Sequence, residues 1–311
     1  MALYLTVFIS VLNQIGLKGS KMLIALYAIE MNADPVTIGF LISSYAVFPL
    51  MLAVYAGRLT DRIGVRWPML CGSVGMTAGL MIPFAWPSMP ALFAAAAVLG
   101  ASNIFFHVSC HNLVGSLNGA GSRISNFGTF SLGASVSGML GPVLVGFMVD
   151  SAGYSPTFAT LASIVILPGF VLLLYPHFIP AVVTAKKDPE AGGVRELLAG
   201  RALRNTLITS GLIITAIDLF NFYMPIYGRS VGLQASAIGW IIGMQAAAAF
   251  VVRLWMPWLA RKYGEARVLT WSLLMAGSTY LLFPMFDQPL IMGAVSFLLG
   301  LGLGCGQPLS I

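Results

Sequence analysis

The sequence predicts an all-α membrane protein built from two related helical bundles, and three observations support this prediction. The 311 residues are 58% hydrophobic and 8% charged, with a mean hydropathy of +0.90, so they cannot form a water-soluble globular surface. Apolar runs of about 18 residues or more recur along the chain, each long enough to cross roughly 30 Å of hydrocarbon as a helix. The third observation is an internal repeat. The two-residue alternation of membrane β-barrel strands is absent.

The apolar runs predict ten membrane-spanning helices. They cover residues 4–28, 36–57, 69–87, 90–114, 127–149, 155–176, 205–228, 235–258, 268–286 and 289–311. The first run has the position of a secretory signal, but Lys18 and Lys21 interrupt it and no small-residue cleavage site follows, so we interpret it as a retained helix. Cys71, Cys110 and Cys305 lie in apolar runs without metal-ligand spacing, which favours packing roles and predicts neither a metal nor a cofactor.

Lysine and arginine residues define the predicted orientation. All those in loops except Arg229 fall on one side of the membrane: Arg58, Arg62, Arg66, Arg123, Lys186, Lys187, Arg195, Arg201, Arg204, Arg261, Lys262 and Arg267. By the positive-inside rule this side is the cytoplasm, which places a cytoplasmic N-terminus on a multi-pass protein of the bacterial inner (plasma) membrane. Glu30, Asp34, Asp150 and Asp287 lie outside. Because the basic residues are spread over short loops, the net charge of +6 predicts no nucleic-acid partner.

The two halves of the chain repeat with an offset of about 200 residues. The offset pairs residues 37–42 with 237–242, and it matches Tyr27 with Tyr227, Leu59 with Leu259, Gly64 with Gly264 and Gly100 with Gly300. Several matches in one register indicate two bundles of similar construction. The polar segment 177–204 is a predicted cytoplasmic linker between an N-terminal six-helix bundle (1–176) and an incomplete C-terminal bundle (205–311).

A short motif after the second predicted helix is the most specific signal. It reads Gly57-Arg-Leu-Thr-Asp61-Arg62-Ile-Gly64-Val-Arg66, which resembles the G-x-L-x-D-R-x-G-x-R loop signature between helices two and three of the major facilitator superfamily. We expect its glycines to permit a sharp turn and close helix approach, and Asp61 with the arginines to pair across helix ends and hold one gating state. An ordinary positive-inside loop is the alternative. The second repeat has Arg261 at the acidic position, which predicts a weaker or different gate.

Helix five contains a second motif that is less specific. Its sequence, Gly138-Met-Leu-Gly141-Pro142-Val-Leu-Val-Gly146, is similar to the glycine-proline motif of drug-efflux members of that family. The spacing departs from the family pattern before the second glycine. Close helix packing by small residues explains the motif equally well, so it is weak evidence for efflux.

Polar residues inside the predicted helices mark the candidate site, because an ionisable group at bilayer depth costs several kcal/mol unless it meets a cavity or a partner. Helix one presents Gln14, Lys18 and Lys21 on one face, and helix seven presents Asp218 and Asn221. The repeat pairs Lys18 with Asp218 and Lys21 with Asn221. The resemblance implies that the first, fourth, seventh and tenth helices line a central cavity, so we expect these residues on its walls.

Helices four, eight and ten complete the predicted lining. Asn103, His107 and His111 form one stripe on helix four, Gln307 is the repeat partner of His107, and Arg253 lies near the cytoplasmic mouth. This positive lining predicts an anionic or carboxylate-bearing solute. The histidines have the spacing of a metal pair, but no carboxylate or cysteine accompanies them, so we interpret them as cavity or core imidazoles.

Several alternatives stay open for individual residues. Lys21 is also placed to snorkel towards the outer headgroups, and Arg253 to tether a helix end or bind cytoplasmic headgroups. Asp218 is the intramembrane carboxylate able to exchange a proton. If it is instead a permanent partner of Lys18, His107 is the proton carrier.

These features together predict a secondary active transporter, a permease that acts as a monomer by alternating access and exports a small organic solute by proton antiport. The sequence has no G-x-x-x-x-G-K-[ST] loop for ATP hydrolysis and no HExxH, GxSxG or paired-carboxylate cluster, so we expect no enzyme. A non-transporting receptor or interaction protein on the same fold is the alternative.

The resembled fold has twelve helices and this chain stops at Ile311 within an apolar run. We therefore expect a truncated product of six plus four helices, and an inactive remnant is a further alternative.

Overall fold

The computed structural model describes residues 2–117, 123–175 and 201–305. These ranges contain ten α-helices: α1 (Ala2–Glu30), α2 (Pro35–Ile63), α3 (Arg66–Ala85), α4 (Met89–Ser116), α5 (Arg123–Ala152), α6 (Tyr154–Leu174), α7 (Arg201–Ser230), α8 (Ala235–Tyr263), α9 (Glu265–Leu282) and α10 (Pro289–Gly304). Nine helices of the described ranges are long and apolar enough to span a membrane, and α10 is a shorter apolar helix. The predicted all-α, multi-pass membrane architecture is confirmed.

Helices α2 and α8 extend further than their apolar runs. They end at Ile63 and Tyr263, whereas the hydropathy pattern predicted ends at 57 and 258. The last turns are rich in arginine and lysine, which are good helix formers and do not stop a helix. Each helix stops at a glycine with left-handed backbone, Gly64 or Gly264, both with φ of 83°. The motif at 57–66 was predicted as a loop, and this prediction is wrong because most of the motif is the end of α2.

The repeat is visible in the turns and in the helix contacts. Between the first two helices of each half, the chain turns through a left-handed residue, Asn32 (φ 59°) or Gly232 (φ 79°). Gly100 of α4 packs against the backbone carbonyl of Tyr45 in α2, and Gly300 of α10 packs against the carbonyl of Gln245 in α8. The glycines and their partners obey the same sequence offset. The two halves therefore share a backbone contact as well as a helix order.

A second close helix contact occurs in both halves, but the glycine and the serine that form it have changed helices. In the first half, a Cβ added to Gly72 of α3 would lie 2.8 Å from the carbonyl oxygen of Ser102 in α4. In the second half the glycine is on the other helix, where a Cβ at Gly302 of α10 would lie 2.8 Å from the carbonyl oxygen of Ser272 in α9. A glycine on one side is enough to allow this close approach, so the contact distance is kept although the sequence differs.

The described residues form two compact units. The first contains the described part of 2–175 together with Phe222–Gly243, and the second contains residues 201–221 and 244–305. In the first unit α1 packs against α4, α5 and α6, while α3 and α4 pack against each other. Its apolar core includes Ile9, Met69, Phe106, Leu113 and Leu172. In the second unit α9 and α10 pack together. The domain boundaries at 176 and 205 stay a prediction.

The start of α2 shows how one helix end is stabilised. The carboxylate of Asp34 accepts hydrogen bonds from the backbone N–H groups of Val36 (3.1 Å) and Thr37 (3.2 Å), and Pro35 lies in the first turn. The Thr37 hydroxyl, followed by these N–H groups, holds the pKa of the Asp34 carboxyl below its usual range. The cap satisfies donors that the helix cannot pair internally.

Candidate functional site

Lys18 is held inside the first unit by the backbone of α5. Its Nζ donates a hydrogen bond of 2.7 Å to the carbonyl oxygen of Ala134, which also accepts one of 2.9 Å from the Ser137 hydroxyl. The contact is possible because α1 and α5 approach closely: a Cβ at Gly141 would lie 3.0 Å from the backbone nitrogen of Gly19. A charged group at this depth requires such a polar partner.

His107 and His111 form a pair on α4. Their Nε2 atoms are 3.2 Å apart and their ring centroids 4.3 Å apart, and His107 is near enough to Lys18 for their charges to interact. The His111 ring also packs against Phe127 (5.8 Å) and Phe130 (4.8 Å) of α5. A hydrogen bond needs one donor and one acceptor, so this geometry requires at least one neutral imidazole. Among the described residues, no group of three or more His, Cys, Asp or Glu side chains is placed to hold a metal ion.

Buried amides lie on the same two helices. Gln14 is buried and Lys21 half-buried on α1, while Oδ1 of Asn103 on α4 is buried without a hydrogen-bond partner in the described ranges. Asn13 was missed by the sequence interpretation. It is fully buried, and neither polar atom of its side chain has a partner among the described residues. Its signal in the sequence is an amide in the middle of an apolar run, but helical spacing puts it on a different face from Lys18.

The remaining predicted site residues belong to the second unit or lie outside the described ranges. Asp218 of α7 is exposed, and Arg253 of α8 is half-buried. Asn221 donates from Nδ2 to the carbonyl oxygen of Ile217, at 2.8 Å. Gln307 lies outside the described residues. The structure therefore brings Lys18, His107 and His111 together, while the predicted pairs of Lys18 with Asp218 and Lys21 with Asn221 stay predictions because each pair spans the two units.

Comparison with known proteins identifies the family. The family model described as the Major Facilitator Superfamily matches residues 6–311. The chain belongs to the Major Facilitator Superfamily. It is 26% identical over 303 residues to the Multidrug resistance protein MdtG of Escherichia coli (strain SMS-3-5 / SECEC), an alignment covering 87% of this chain and 67% of that protein. MdtG of strain HS is 26% identical over 304 residues, with the same coverage.

A solved structure shows the same fold. The crystal structure of a point mutant of the nucleoside transporter NupG matches this chain with a TM-score of 0.71 and 14% identity, covering 98% of this chain and 80% of the NupG chain. Together with the family match, this likeness confirms the predicted major facilitator fold. The protein is a transporter of this superfamily and not an enzyme.

In this superfamily member, Arg66 of the 57–66 motif connects α3 to the end of α6. Its Nε donates to the carbonyl oxygen of Leu172 at 3.0 Å, and its Nη2 to that of Leu173 at 3.4 Å. A cation at a helix C-terminus satisfies carbonyls that lack partners and favours the helix dipole. Asp61 and Arg62 are exposed at the end of α2. The gating role of the motif stays a prediction.

Gly57, the first residue of the motif, does not make the expected close helix approach. A Cβ added there would meet no atom of the described residues within 4 Å. Gly64 alone provides the turn, through its left-handed backbone. Within the described ranges α2 continues through Gly57 without the expected close contact, and the role of this glycine stays a prediction.

The glycine-proline segment of α5 lies between two helices of the first unit. On one side, Gly141 packs against α1. On the other, Gly146 packs against the backbone of Ala235, and Gly239 of α8 packs against the carbonyl of Pro142. The small residues of this segment thus allow backbone contact between α5 and α8, in agreement with the packing interpretation.

Proposed function

We propose that this chain is a secondary active transporter that exports a small organic solute in exchange for protons by alternating access. The observation that supports this proposal most directly is the grouping of Lys18 with the imidazole pair of His107 and His111 in the first unit. In this proposal the pair carries the proton, and Lys18 and the neighbouring amides contact the solute. The name of the relative MdtG, a multidrug resistance protein, favours efflux.

The imidazole pair suits exchange of a single proton. One added proton leaves a cationic ring that donates to its neutral neighbour, whereas two would place two like charges about 3 Å apart. The fixed charge of Lys18 opposes protonation further. The pair therefore switches between two states that differ by one proton, which is what coupling requires.

The charge of the solute decides the mode of coupling. An anion beside Lys18 would favour protonation of the imidazole pair, so solute and proton would move together. An uncharged solute that hydrogen-bonds to the neutral imidazoles would instead compete with the proton, which gives exchange. The predicted preference for anions and the predicted proton exchange are thus alternatives, and we propose exchange with an uncharged solute.

The first experiment measures flux in proteoliposomes with and without an imposed pH gradient. We expect saturable flux driven by the gradient, and we expect His107→Ala to lose the response to the gradient because the proton carrier is gone. His177→Ala is the matched control, since His177 lies in the predicted linker, and it should behave like the unmodified protein. A panel of anionic, uncharged and cationic solutes tests the solute class.

Two results would contradict the proposal. Gradient-driven flux that survives in His107→Ala would remove the imidazole pair from the coupling mechanism. Binding of a solute without flux under any gradient would favour the receptor alternative. In the proposed orientation the N-terminus is cytoplasmic and the membrane is the bacterial inner membrane, which accessibility labelling of an N-terminal tag tests.

A further inference from the structure

An aspartate at the end of α5 caps a distant helix. The Asp150 carboxylate accepts hydrogen bonds from the backbone N–H groups of Ala235 (3.1 Å) and Ser236 (2.7 Å) at the start of α8. A carboxylate in this position satisfies free backbone donors and interacts favourably with the helix dipole. The bond therefore connects two helix ends that are 85 residues apart in sequence.

The repeat shows that this cap is unusual for the protein. The equivalent helix of the first half, α2, is capped by Asp34 from its own preceding loop. In the second half the corresponding position is Gln234. Glutamine is not among the residues preferred at helix N-caps. The start of α8 thus depends on a carboxylate from α5 where the start of α2 uses a local one.

A second polar contact lies at the same end of the first unit. Nη2 of Arg229, in the last turn of α7, donates to the hydroxyl of Tyr154 at the start of α6, at 3.0 Å. Glu30, at the end of α1, is near enough to the same hydroxyl to interact with it. The Tyr154 ring stacks on Tyr27, with ring centroids 4.8 Å apart. The sequence analysis assigned Arg229 to a loop, where it was the exception to the positive-inside pattern. Its hydrogen bond to Tyr154 explains why an arginine lies on this side.

The cap from Asp150 lies beside the backbone packing of α5 on α8. A Cβ at Gly146, one helical turn from Asp150, would lie 2.9 Å from the Cα of Ser236. Such contacts are held only by dispersion forces and need the helix ends to stay in register. The cap from Asp150 supplies a charged, directional bond at this point.

We propose that Asp150, together with the group of Glu30, Tyr154 and Arg229, forms a two-part latch that holds the ends of α7 and α8 against α1, α5 and α6. This end is the one predicted to face outside the cell. The latch rests on the alternating-access mechanism proposed above and regulates the same site: both parts must break before the site opens towards the outside.

A labelling experiment tests the latch without any solute or proton gradient. Cys71, Cys110 and Cys305 are replaced by alanine, and Ile238→Cys, at a fully buried position in the first turn of α8, reports opening through its reaction with a maleimide in nanodiscs. We expect Asp150→Ala combined with Arg229→Gln to raise the labelling rate at least fivefold, and each single variant to raise it less.

Asp34→Ala is the matched control, because it removes a carboxylate cap with the same two kinds of backbone bond, which joins α2 only to its own loop. Labelling should stay at the starting rate in this variant. Equal increases of the labelling rate in the Asp34 and Asp150 variants would show general destabilisation. An unchanged labelling rate in the double variant would show that the contacts hold nothing closed. Either result overturns the latch.

Asp150→Asn, which keeps one acceptor oxygen, is measured in parallel. It should give an intermediate labelling rate even if truncation to alanine prevents folding. Failure of the flux experiment with a positive labelling result would contradict the proposed function alone.

Discussion

Lys18→Ala is expected to reduce solute transport by roughly 10- to 100-fold. In the proposed function Lys18 contacts the solute, and a hydrogen bond made by a charged group contributes about 1.5–3 kcal/mol. Since about 1.4 kcal/mol corresponds to a factor of ten, the loss of one such bond gives this range. The alanine variant removes the ammonium group whose Nζ lies 2.7 Å from the Ala134 carbonyl oxygen and is near enough to His107 for their charges to interact. The initial rate of flux per folded protein in proteoliposomes measures the effect.

The fold itself should survive this substitution. The carbonyl of Ala134 keeps its hydrogen bond from the Ser137 hydroxyl, so no buried acceptor is left without a donor. Lys21→Ala is the matched control, since Lys21 is also half-buried on α1 but is a candidate for snorkelling to headgroups. We expect less than a threefold change there. If Lys18→Ala transports at the normal rate, or if both variants fail to the same degree, the assignment of Lys18 to the site is wrong.

The helices of the described ranges could be predicted from sequence because lipid imposes them locally. Every spanning segment must be a helix of sufficient apolar length, so hydropathy alone finds it. The turn glycines, such as Gly64 and Gly264, are also local signals, because only a few residue types adopt a left-handed backbone. The ends of α2 and α8 were not predictable from hydropathy, since a helix does not stop where its apolar run stops.

The candidate site could be predicted only in part, and the reason is the nature of the partners. Helical spacing was sufficient to put His107 and His111 side by side. The partner of Lys18 is the backbone carbonyl of Ala134, and a carbonyl is present at every residue and leaves no trace in the sequence. The same is true of the N–H groups capped by Asp150, for which the only clue was Gln234 in place of a capping aspartate.

Gly100→Val is expected to abolish most of the folded protein. A Cβ at this position would lie 2.5 Å from the carbonyl oxygen of Tyr45 and 3.0 Å from its Cα, both of which are backbone atoms inside α2. Tyr45 cannot retreat easily, because its hydroxyl donates to the Ser20 hydroxyl oxygen of α1 at 3.0 Å. Overpacking that moves backbone costs about 1–3 kcal/mol or more. Fluorescence-detected size exclusion and thermal unfolding in detergent measure the loss.

Gly277→Val provides the control for this prediction, because a Cβ at Gly277 of α9 would meet no atom of the described residues within 4 Å. Valine should be tolerated there, since replacing a glycine inside a helix removes an entropic cost. The repeat adds a stricter test. Gly300 makes the equivalent contact with Gln245, so Gly300→Val should destabilise the second unit as Gly100→Val destabilises the first. The contradicting result would be a harmless Gly300→Val beside a Gly100→Val that unfolds the protein. The contact would then matter only in the first bundle. The repeat would no longer explain why both glycines are present.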